Sequence, residues 1–268
     1  MSIRLVVSDV DGTLVQPDKS LSPGTIAAAG RLRAAGVTLA LVSARPPRGI
    51  VPLGEELGGH IMLAGFNGGT ILDVHGKVAA EMLVPAAAAA AAHGLFRARG
   101  VFTWVFADNE WLLDDPSGPR IPLERRTVRF QERVVDSLDP YLDRAGKLVG
   151  VSDDYAKLAA VETELQALLG TTANAHRSQD YYLDVTHPDA NKGHAVRALA
   201  AQLGLGMDEV LVLGDMPNDL AMFDVGAASV AMGNGADVVK QRATWVTARN
   251  DEDGWAMAID RHVLAQPA

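Results

Sequence analysis

Short, nearly continuous apolar runs alternate with stretches of helical spacing along most of the chain. Five runs have the length and composition of buried strands: Ile3–Val7, Thr38–Val42, His60–Ala64, Val210–Leu213 and Ser229–Met232. Such runs are typical of parallel strands that are covered on both faces. Ser22–Ala35 and Lys192–Leu203 have the spacing of helices. The alternation of strands and helices predicts an α/β fold with a Rossmann-like, doubly wound parallel sheet.

The middle of the chain follows a different pattern. Pro85 precedes an alanine run that predicts a helix, and the polar stretch Asp114–Arg126 predicts no element. The remaining expected elements are strands at Phe102–Ala107, Glu110–Leu113, Lys147–Val151, Thr171–His176 and Tyr181–Val185, and a helix at Tyr155–Leu169. We therefore expect residues 85–186 to form an inserted α+β domain, and residues 1–84 and 187–268 to form the main domain.

Composition excludes several classes of function. The chain has 268 residues, is 48% hydrophobic, and carries a net charge of −9, which argues against a nucleic-acid partner. It contains no cysteine, so disulfides and thiolate chemistry are excluded. No apolar run approaches the roughly 20 residues that span a membrane, and the first residues do not form a signal peptide. We expect a cytoplasmic protein without a membrane partner.

The first strand runs into the acidic segment Asp9–Thr13. Side chains at positions i and i+2 of a strand share a face, so Asp9 and Asp11 are expected near each other at the edge where α/β sheets bind ligands. Gly12 allows the chain to leave the strand sharply. Two close carboxylates repel unless a cation or a shared proton relieves them. The segment alone also fits an ordinary acidic turn.

Three other segments place polar groups at strand ends or helix starts. Ser43 follows the second strand and can donate to a phosphoryl oxygen, although serine is also a common helix cap. Lys192 opens a helix and can offset negative charge, although an exposed lysine is the ordinary alternative. The segment Gly214–Asp219 puts Asp215 and Asp219 just past a buried strand, where they can bind magnesium or cap a helix.

Together the four segments, Asp-x-Asp-Gly-Thr, Ser, Lys and Gly-Asp-x-x-Asn-Asp, resemble the motifs of the haloacid dehalogenase (HAD) superfamily in their order. The insertion between the serine and lysine segments is similar to the C2-type α+β cap of that superfamily. Three further stretches resemble its Cof-like branch: Asn67–Gly69, Tyr181–Pro188 and Thr247–Gly254. Asp184 departs from the branch, in which glutamate is expected, and this departure bears on the hinge between cap and core.

The resemblance implies roles for individual residues. Asp9 would be the nucleophile and a magnesium ligand. Asp11 would act as general acid and then base, and its backbone carbonyl would bind the metal. Asp215 would supply the second metal carboxylate, with Asp219 supporting it, and Lys192 would contact the phosphate and Asp9. The substrate-binding residues implied are Ser43, Ala44, Asn67, Gly68, Lys192 and Asn218.

The resemblance thus implies a Mg²⁺-dependent phosphatase that hydrolyses a small phosphomonoester, by default a sugar phosphate, through an aspartyl-phosphate. A phosphomutase is the nearest alternative, and a non-catalytic phosphate-binding regulator is a more distant one. Cap residues would select the leaving group. Trp104, Phe106 and Trp111 either line a substrate pocket or pack the cap against the core. Neither the physiological substrate nor the oligomeric state follows from the sequence.

Overall fold

The protein, represented by a computed structural model that describes residues 2–265, divides into two compact units. The first is formed by the chain up to Ala79 and from Asn191 onward, and the second by Ala80–Ala190. The predicted insertion, residues 85–186, lies inside the second unit. No helix of the described part of the chain is long and apolar enough to cross a membrane.

Fourteen strands lie within the described residues. They are β1 (Leu5–Asp9), β2 (Thr38–Val42), β3 (Met62–Gly65), β4 (Thr70–Leu72), β5 (Val78–Glu81), β6 (Phe102–Ala107), β7 (Glu110–Leu113), β8 (Arg133–Val134), β9 (Ala145–Val151), β10 (Asn174–Gln179), β11 (Tyr182–Thr186), β12 (Val210–Gly214), β13 (Ala228–Ala231) and β14 (Trp245–Val246). One sheet has the order β14-β13-β12-β1-β2-β3-β4-β5, and the other has the order β10-β11-β9-β6-β7-β8.

Nine α-helices accompany these strands in residues 2–265. They are α1 (Pro23–Ala34), α2 (Val51–Glu56), α3 (Ala86–Ala98), α4 (Ile121–Val128), α5 (Tyr155–Leu169), α6 (Lys192–Gln202), α7 (Leu220–Phe223), α8 (Asp237–Arg242) and α9 (Gly254–Ile259). A 3-10 turn, Pro217–Asp219, precedes α7. Helix α1 begins where expected, because Ser22 accepts a hydrogen bond from the amide of Thr25 at 3.0 Å.

The central strand β1 distributes its side chains over both faces of the larger sheet. Val6 packs with residues of α1 and α9, whereas Leu5 and Val7 pack with residues of α6 and α7. The strand is therefore buried on both faces, which explains its unbroken apolar sequence. By the same alternation Ser8 lies on the α9 side of the sheet and Asp9 on the α6 side.

The second unit, which we call the cap unit, is built on the smaller sheet. Helices α3 and α5 cover one face of that sheet, where Val105, Leu148 and Leu183 join an apolar cluster with Phe96 and Leu165. The strands that pair within the unit are mainly antiparallel. This arrangement is the α+β pattern that the middle of the chain predicted.

The predicted α/β class with an inserted α+β cap is confirmed, with differences in detail. The sheet is parallel from β14 to β3, but β4 returns antiparallel to β3, a short hairpin that the sequence did not indicate. Helix α4 lies in the polar stretch that was expected to be irregular. Helix α4 has only eight residues and contains Pro122 in its first turn, and the proline favoured an irregular interpretation of the stretch.

Candidate active site

Asp9 and Lys192 lie close together because β1 ends, and α6 begins, at the same edge of the sheet. Asn191 begins α6 by accepting a hydrogen bond from the amide of His194 at 2.9 Å, which puts Lys192 in the first turn. The Lys192 ammonium is 2.5 Å from Asp9 Oδ1 and 2.5 Å from Asp219 Oδ1. Lys192 is almost completely buried, so the alternative of an exposed surface lysine is wrong.

Asp219 is fixed by the turn that follows β12. Its Oδ2 accepts hydrogen bonds from the amides of Asp215 at 2.8 Å and Met216 at 2.9 Å. Its Oδ1 accepts a hydrogen bond from the Lys192 ammonium. Asp219 therefore joins the turn to the lysine, and both of its oxygens already have partners.

Asp215 lies directly after β12 and beside the chain that leaves β1. Thr13 donates a hydrogen bond to Asp215 Oδ1 at 2.9 Å. Gly12 has a φ of +85°, and a Cβ at this position would clash with the Asp215 carboxylate. Glycine is thus required here both by the backbone conformation and by the close approach.

Asp9, Asp215 and Asp219 form a buried acidic cluster. One ligand oxygen from each lies within 4.8 Å of the others. Burial raises the pKa of Asp9 well above its ordinary value, against the lowering effect of Lys192, and raises the pKa of Asp215 to about 6, aided by Asp219. Burial lowers the pKa of Lys192, but the two carboxylates it touches raise it overall. A site where carboxylates repel each other in this way fits a divalent cation with oxygen ligands.

Asp11 lies two residues past the end of β1, and two cations bind its carboxylate. Arg45 donates to both oxygens of Asp11, at 2.7 and 2.6 Å, and the Lys19 ammonium lies 2.7 Å from Oδ1. Burial would raise the pKa of Asp11, but hydrogen bonds and charges of Arg45 and Lys19 lower it to about 2. The Asp11 side chain is not a member of the acidic cluster formed by Asp9, Asp215 and Asp219.

The implied substrate-binding residues occupy separate places around this edge. Ser43 is buried, its Oγ accepts from the Arg45 amide at 3.2 Å, and its carbonyl accepts from the Asn67 amide at 2.8 Å. Gly68 packs against α6, where a Cβ would approach that of Ala195 to 2.8 Å. Ala44 is half-buried beside Ser43, and Asn218 is exposed on the turn that precedes α7.

Sequence reasoning missed Arg45 and Lys19, and it also missed a set of residues that brace the loop after β1. Asn234 donates to the Gly12 carbonyl at 2.8 Å, and its own side-chain oxygen accepts from the Asn250 amide at 2.9 Å. The Asn250 side chain donates to the Val15 carbonyl at 2.8 Å. The stretch Thr247–Gly254 was identified only by resemblance, and the Val15 carbonyl that Asn250 contacts lies 235 residues away in sequence.

A second set of hydrogen bonds fixes the end of β1 from the α9 side of the sheet. The Trp255 indole donates to Ser8 Oγ at 2.9 Å, and the Ser8 hydroxyl donates to the Asp9 carbonyl at 2.7 Å. Asp9 is therefore held through its backbone from the α9 side and through its carboxylate from the α6 side. Ser8 lies just beyond the predicted strand Ile3–Val7, and no sequence signal paired it with a tryptophan.

Comparisons with known proteins agree with this fold. The sequence profile of haloacid dehalogenase-like hydrolases matches residues 6–259. A putative phosphatase of Haemophilus influenzae is 28% identical over 266 residues, covering 97% of this chain and 98% of the relative. A pyridoxal phosphate phosphatase of Escherichia coli is 26% identical over 274 residues, covering 98% and 100%. The crystal structure of a haloacid dehalogenase-like hydrolase from Bacteroides thetaiotaomicron is 30% identical, covers 97% and 99%, and superposes with a TM-score of 0.91.

The fold and the buried acidic cluster define a hydrolase with an α/β core and an inserted cap. The chain belongs to the haloacid dehalogenase-like hydrolase family. The predicted resemblance, including the Cof-like branch, is confirmed, and so is the enzyme class, a phosphoric monoester hydrolase.

Proposed function

We propose that the protein is a magnesium-dependent phosphatase that hydrolyses a small phosphomonoester through a phosphoryl group carried on Asp9. The observation that carries this proposal is the contact of Asp9 with the buried Lys192 ammonium, next to the Asp215 carboxylate. In the proposal the first unit is the catalytic core and the cap unit acts on the leaving group. The predicted domains, residues 1–84 with 187–268 and residues 85–186, differ from these units in that residues 80–84 and 187–190 belong to the cap unit.

The acidic cluster supports a magnesium site held by Asp9, Asp215 and the backbone carbonyl of Asp11. Carboxylate and carbonyl oxygens are the ligands that this cation prefers. Asp219 takes a supporting role, because its oxygens already bind Lys192 and two backbone amides. When bound, the ion would offset the negative charge of the phosphoryl group and of Asp9, which otherwise repel each other.

In the first step the Asp9 carboxylate attacks phosphorus while the bond to the leaving oxygen breaks. Lys192 and the Ser43 hydroxyl bind phosphoryl oxygens, and Asp11 gives its proton to the leaving oxygen. In the second step Asp11 takes a proton from a water molecule that attacks phosphorus. The phosphorus–oxygen bond to Asp9 then breaks, which releases inorganic phosphate and restores the carboxylate.

The substrate class is a small organic phosphate, with sugar phosphates as the default of the Cof-like resemblance. The relative in E. coli is named for pyridoxal phosphate, so ring-containing phosphate esters belong in the same test. The net charge of −9 supports a small-molecule substrate rather than a nucleic acid.

Turnover of Asp9→Asn tests the proposal. The variant keeps the shape of the side chain but lacks the nucleophile, so phosphate release should fall by at least about a thousandfold. Asp136→Asn, a change at an exposed cap carboxylate, is the matched control and should retain full activity. The substrates are p-nitrophenyl phosphate and a panel of phosphometabolites with added magnesium. Undiminished turnover by Asp9→Asn would contradict the proposal, and isomer formation without phosphate release would indicate a phosphomutase.

A further inference from the structure

Two hydrogen bonds in series connect helix α9 to the backbone of Asp9. The Trp255 indole nitrogen is 2.9 Å from Ser8 Oγ, and Ser8 Oγ is 2.7 Å from the Asp9 carbonyl oxygen. An indole nitrogen can only donate, so the Ser8 oxygen accepts from it and the Ser8 hydrogen is left for the carbonyl. The direction of both bonds is therefore fixed. We call the two side chains the Trp255–Ser8 pair.

Both bonds of the pair lie in an apolar, water-free environment. Ser8 is 0% exposed, Trp255 is 1% exposed and Asp9 is 5% exposed. Trp255 belongs to the apolar cluster on the α9 side of the sheet, together with Val6 and Val10 of the same chain segment as Ser8. Hydrogen bonds in such surroundings are stronger than in water, and each one polarises the next. The pair therefore holds the Asp9 carbonyl in a defined position.

A gain in stability does not explain the pair. Ser8 follows the apolar run of β1, and an apolar side chain at this position would continue that run into the same cluster. Replacing both partners of a buried hydrogen bond by apolar groups of the same shape is nearly neutral or stabilising, because the polar groups lose their bonds to water on folding. A polar pair at the end of β1 therefore indicates that the geometry at this point matters.

The pair acts where the support of the sheet ends. The pairing of β1 with β12 ends at Ser8, and its pairing with β2 ends at Asp9. The bound carbonyl belongs to the peptide unit that joins Asp9 to Val10. Since a peptide unit is planar, a hydrogen bond to its oxygen restrains the rotation about the Cα–C bond of Asp9. The pair thus fixes the backbone at the residue that carries the proposed nucleophile.

The side chain of Asp9 is held from the other face by a contact of a different kind. The Lys192 ammonium is 2.5 Å from Asp9 Oδ1, and its attraction depends on the negative charge of the carboxylate. That charge is lost from Asp9 while it carries a phosphoryl group, so this attraction weakens in the middle of the proposed reaction. The Trp255–Ser8 pair is uncharged and contacts the backbone, so its hold on Asp9 is the same before and after phosphoryl transfer.

We propose that Trp255 and Ser8 are positioning residues, which keep the Asp9 carboxylate aligned with phosphorus in both steps of the reaction. This inference rests on the proposed phosphatase function. A displacement of about 1 Å between reacting groups can cost about a hundredfold in rate, so the smaller relaxation after loss of one hydrogen bond should cost about tenfold. The groups proposed to bind the phosphoryl oxygens, on Ser43 and Lys192, stay in place, so substrate binding should change little.

Steady-state kinetics of the full-length protein with p-nitrophenyl phosphate and magnesium tests the inference. Trp255→Phe keeps an aromatic ring but removes the indole N–H, and Ser8→Ala removes the hydroxyl. In each variant kcat should fall about tenfold, while KM should stay within about twofold of the wild type. In the double variant kcat should also fall about tenfold and not about a hundredfold, because either change alone breaks the same connection.

Ile259→Val is the matched control. Ile259 is a fully buried residue of α9 in the same apolar cluster as Trp255, and the loss of one methylene group should lower Tm by a few degrees without removing either hydrogen bond. Its kcat should equal that of the wild type. An unchanged kcat in both pair variants, an equal loss in Ile259→Val, or losses that multiply in the double variant would overturn the inference. If Trp255→Phe does not fold, Ser8→Ala decides the outcome.

A binding measurement separates this inference from the phosphatase function. Beryllofluoride binds an aspartate carboxylate in the place of a phosphoryl group, and fluorine NMR with added magnesium reports the complex even if the protein hydrolyses no ester. Ser8→Ala and Trp255→Phe should bind it about tenfold more weakly than the wild type and Ile259→Val do. That result without turnover would contradict the phosphatase function and still support the positioning role. Equal affinities in all four proteins, or binding by none of them, overturn the positioning role.

Discussion

Arg45 holds the carboxylate of Asp11 with two parallel hydrogen bonds, from Nε at 2.7 Å and from Nη2 at 2.6 Å. Lys19 adds a third contact, and together the two cations lower the pKa of Asp11 to about 2 against the opposing effect of burial. Asp11 is therefore ionised in this arrangement. To donate a proton to the leaving oxygen in the proposed reaction, Asp11 must first separate from these two cations and take up a proton from solvent.

The role of Asp11 as a general acid predicts a dependence on the leaving group. In Asp11→Asn, kcat/KM for an alkyl phosphate should fall by about 10²–10⁴, because the alkoxide leaves poorly without a proton. The loss for p-nitrophenyl phosphate should be much smaller, since nitrophenolate leaves unprotonated. Steady-state kinetics on both esters measures the difference. Equal losses for the two esters would remove Asp11 from the acid step.

The hydrogen bond from Thr13 to Asp215 predicts an effect on metal affinity. Thr13→Val preserves the shape of a fully buried side chain but removes the donor that stabilises the carboxylate. Magnesium should bind about 10–100-fold more weakly, the usual consequence of losing a partner of a metal ligand. Isothermal titration calorimetry measures this, with Thr103→Val in the cap unit as control. An unchanged affinity in Thr13→Val would show that Asp215 does not hold the ion.

The raised pKa of Asp215 predicts that stabilisation by magnesium depends on pH. The folded protein keeps the Asp215 proton up to about pH 6, whereas an ordinary aspartate loses it near pH 4. Between these values the folded state binds more protons than the unfolded state, so stability without metal falls as the pH rises through this window. Protons and magnesium compete for the same oxygens at low pH.

Added magnesium should therefore raise Tm by several degrees at about pH 7.5 and by much less at about pH 5. Differential scanning fluorimetry with and without the ion measures both shifts. In Asp215→Asn the shift should be small at either pH. A shift that is equal at the two pH values in the wild type would contradict the assignment of Asp215 as a ligand.

The burial of Lys192 between two carboxylates predicts a large effect on stability. Lys192→Met leaves Asp9 and Asp219 without their shared cation, which should cost about 3–5 kcal/mol at neutral pH. The loss should shrink as the pH falls and the carboxyls become protonated. Urea unfolding measures both effects. Lys77→Met, at an exposed position between β4 and β5, should change stability by no more than about 0.5 kcal/mol.

Residues at strand ends were the most predictable part of the site. The apolar run of β1 predicted a buried central strand, and parallel strands end at one edge, so Asp9 and Asp215 were expected there together. Lys192 needed the resemblance, since a lysine at a helix start is usually exposed. Its burial depends on α6 beginning at Asn191 beside β1, which is a property of the packed sheet.

Contacts made by loops were not predictable. Asp11 lies past the end of β1, and its partners Arg45 and Lys19 lie in other loops, which no local pattern pairs with it. Asn234 and Asn250 brace the same loop from more than 200 positions away, and no local pattern specifies such partners. Helix α4 was missed for a different reason, because it is only eight residues long and has Pro122 in its first turn, which favours an irregular interpretation.

The central claim is that Asp9 carries the phosphoryl group. The most direct test is to mix enzyme, magnesium and substrate, quench within a turnover, and reduce with borohydride, which converts an aspartyl-phosphate to homoserine. Peptide mass spectrometry then locates the converted residue. We predict homoserine at position 9 in the wild type and none in Asp9→Asn. Rapid substrate turnover with no conversion at position 9, or conversion at another aspartate, would contradict the account.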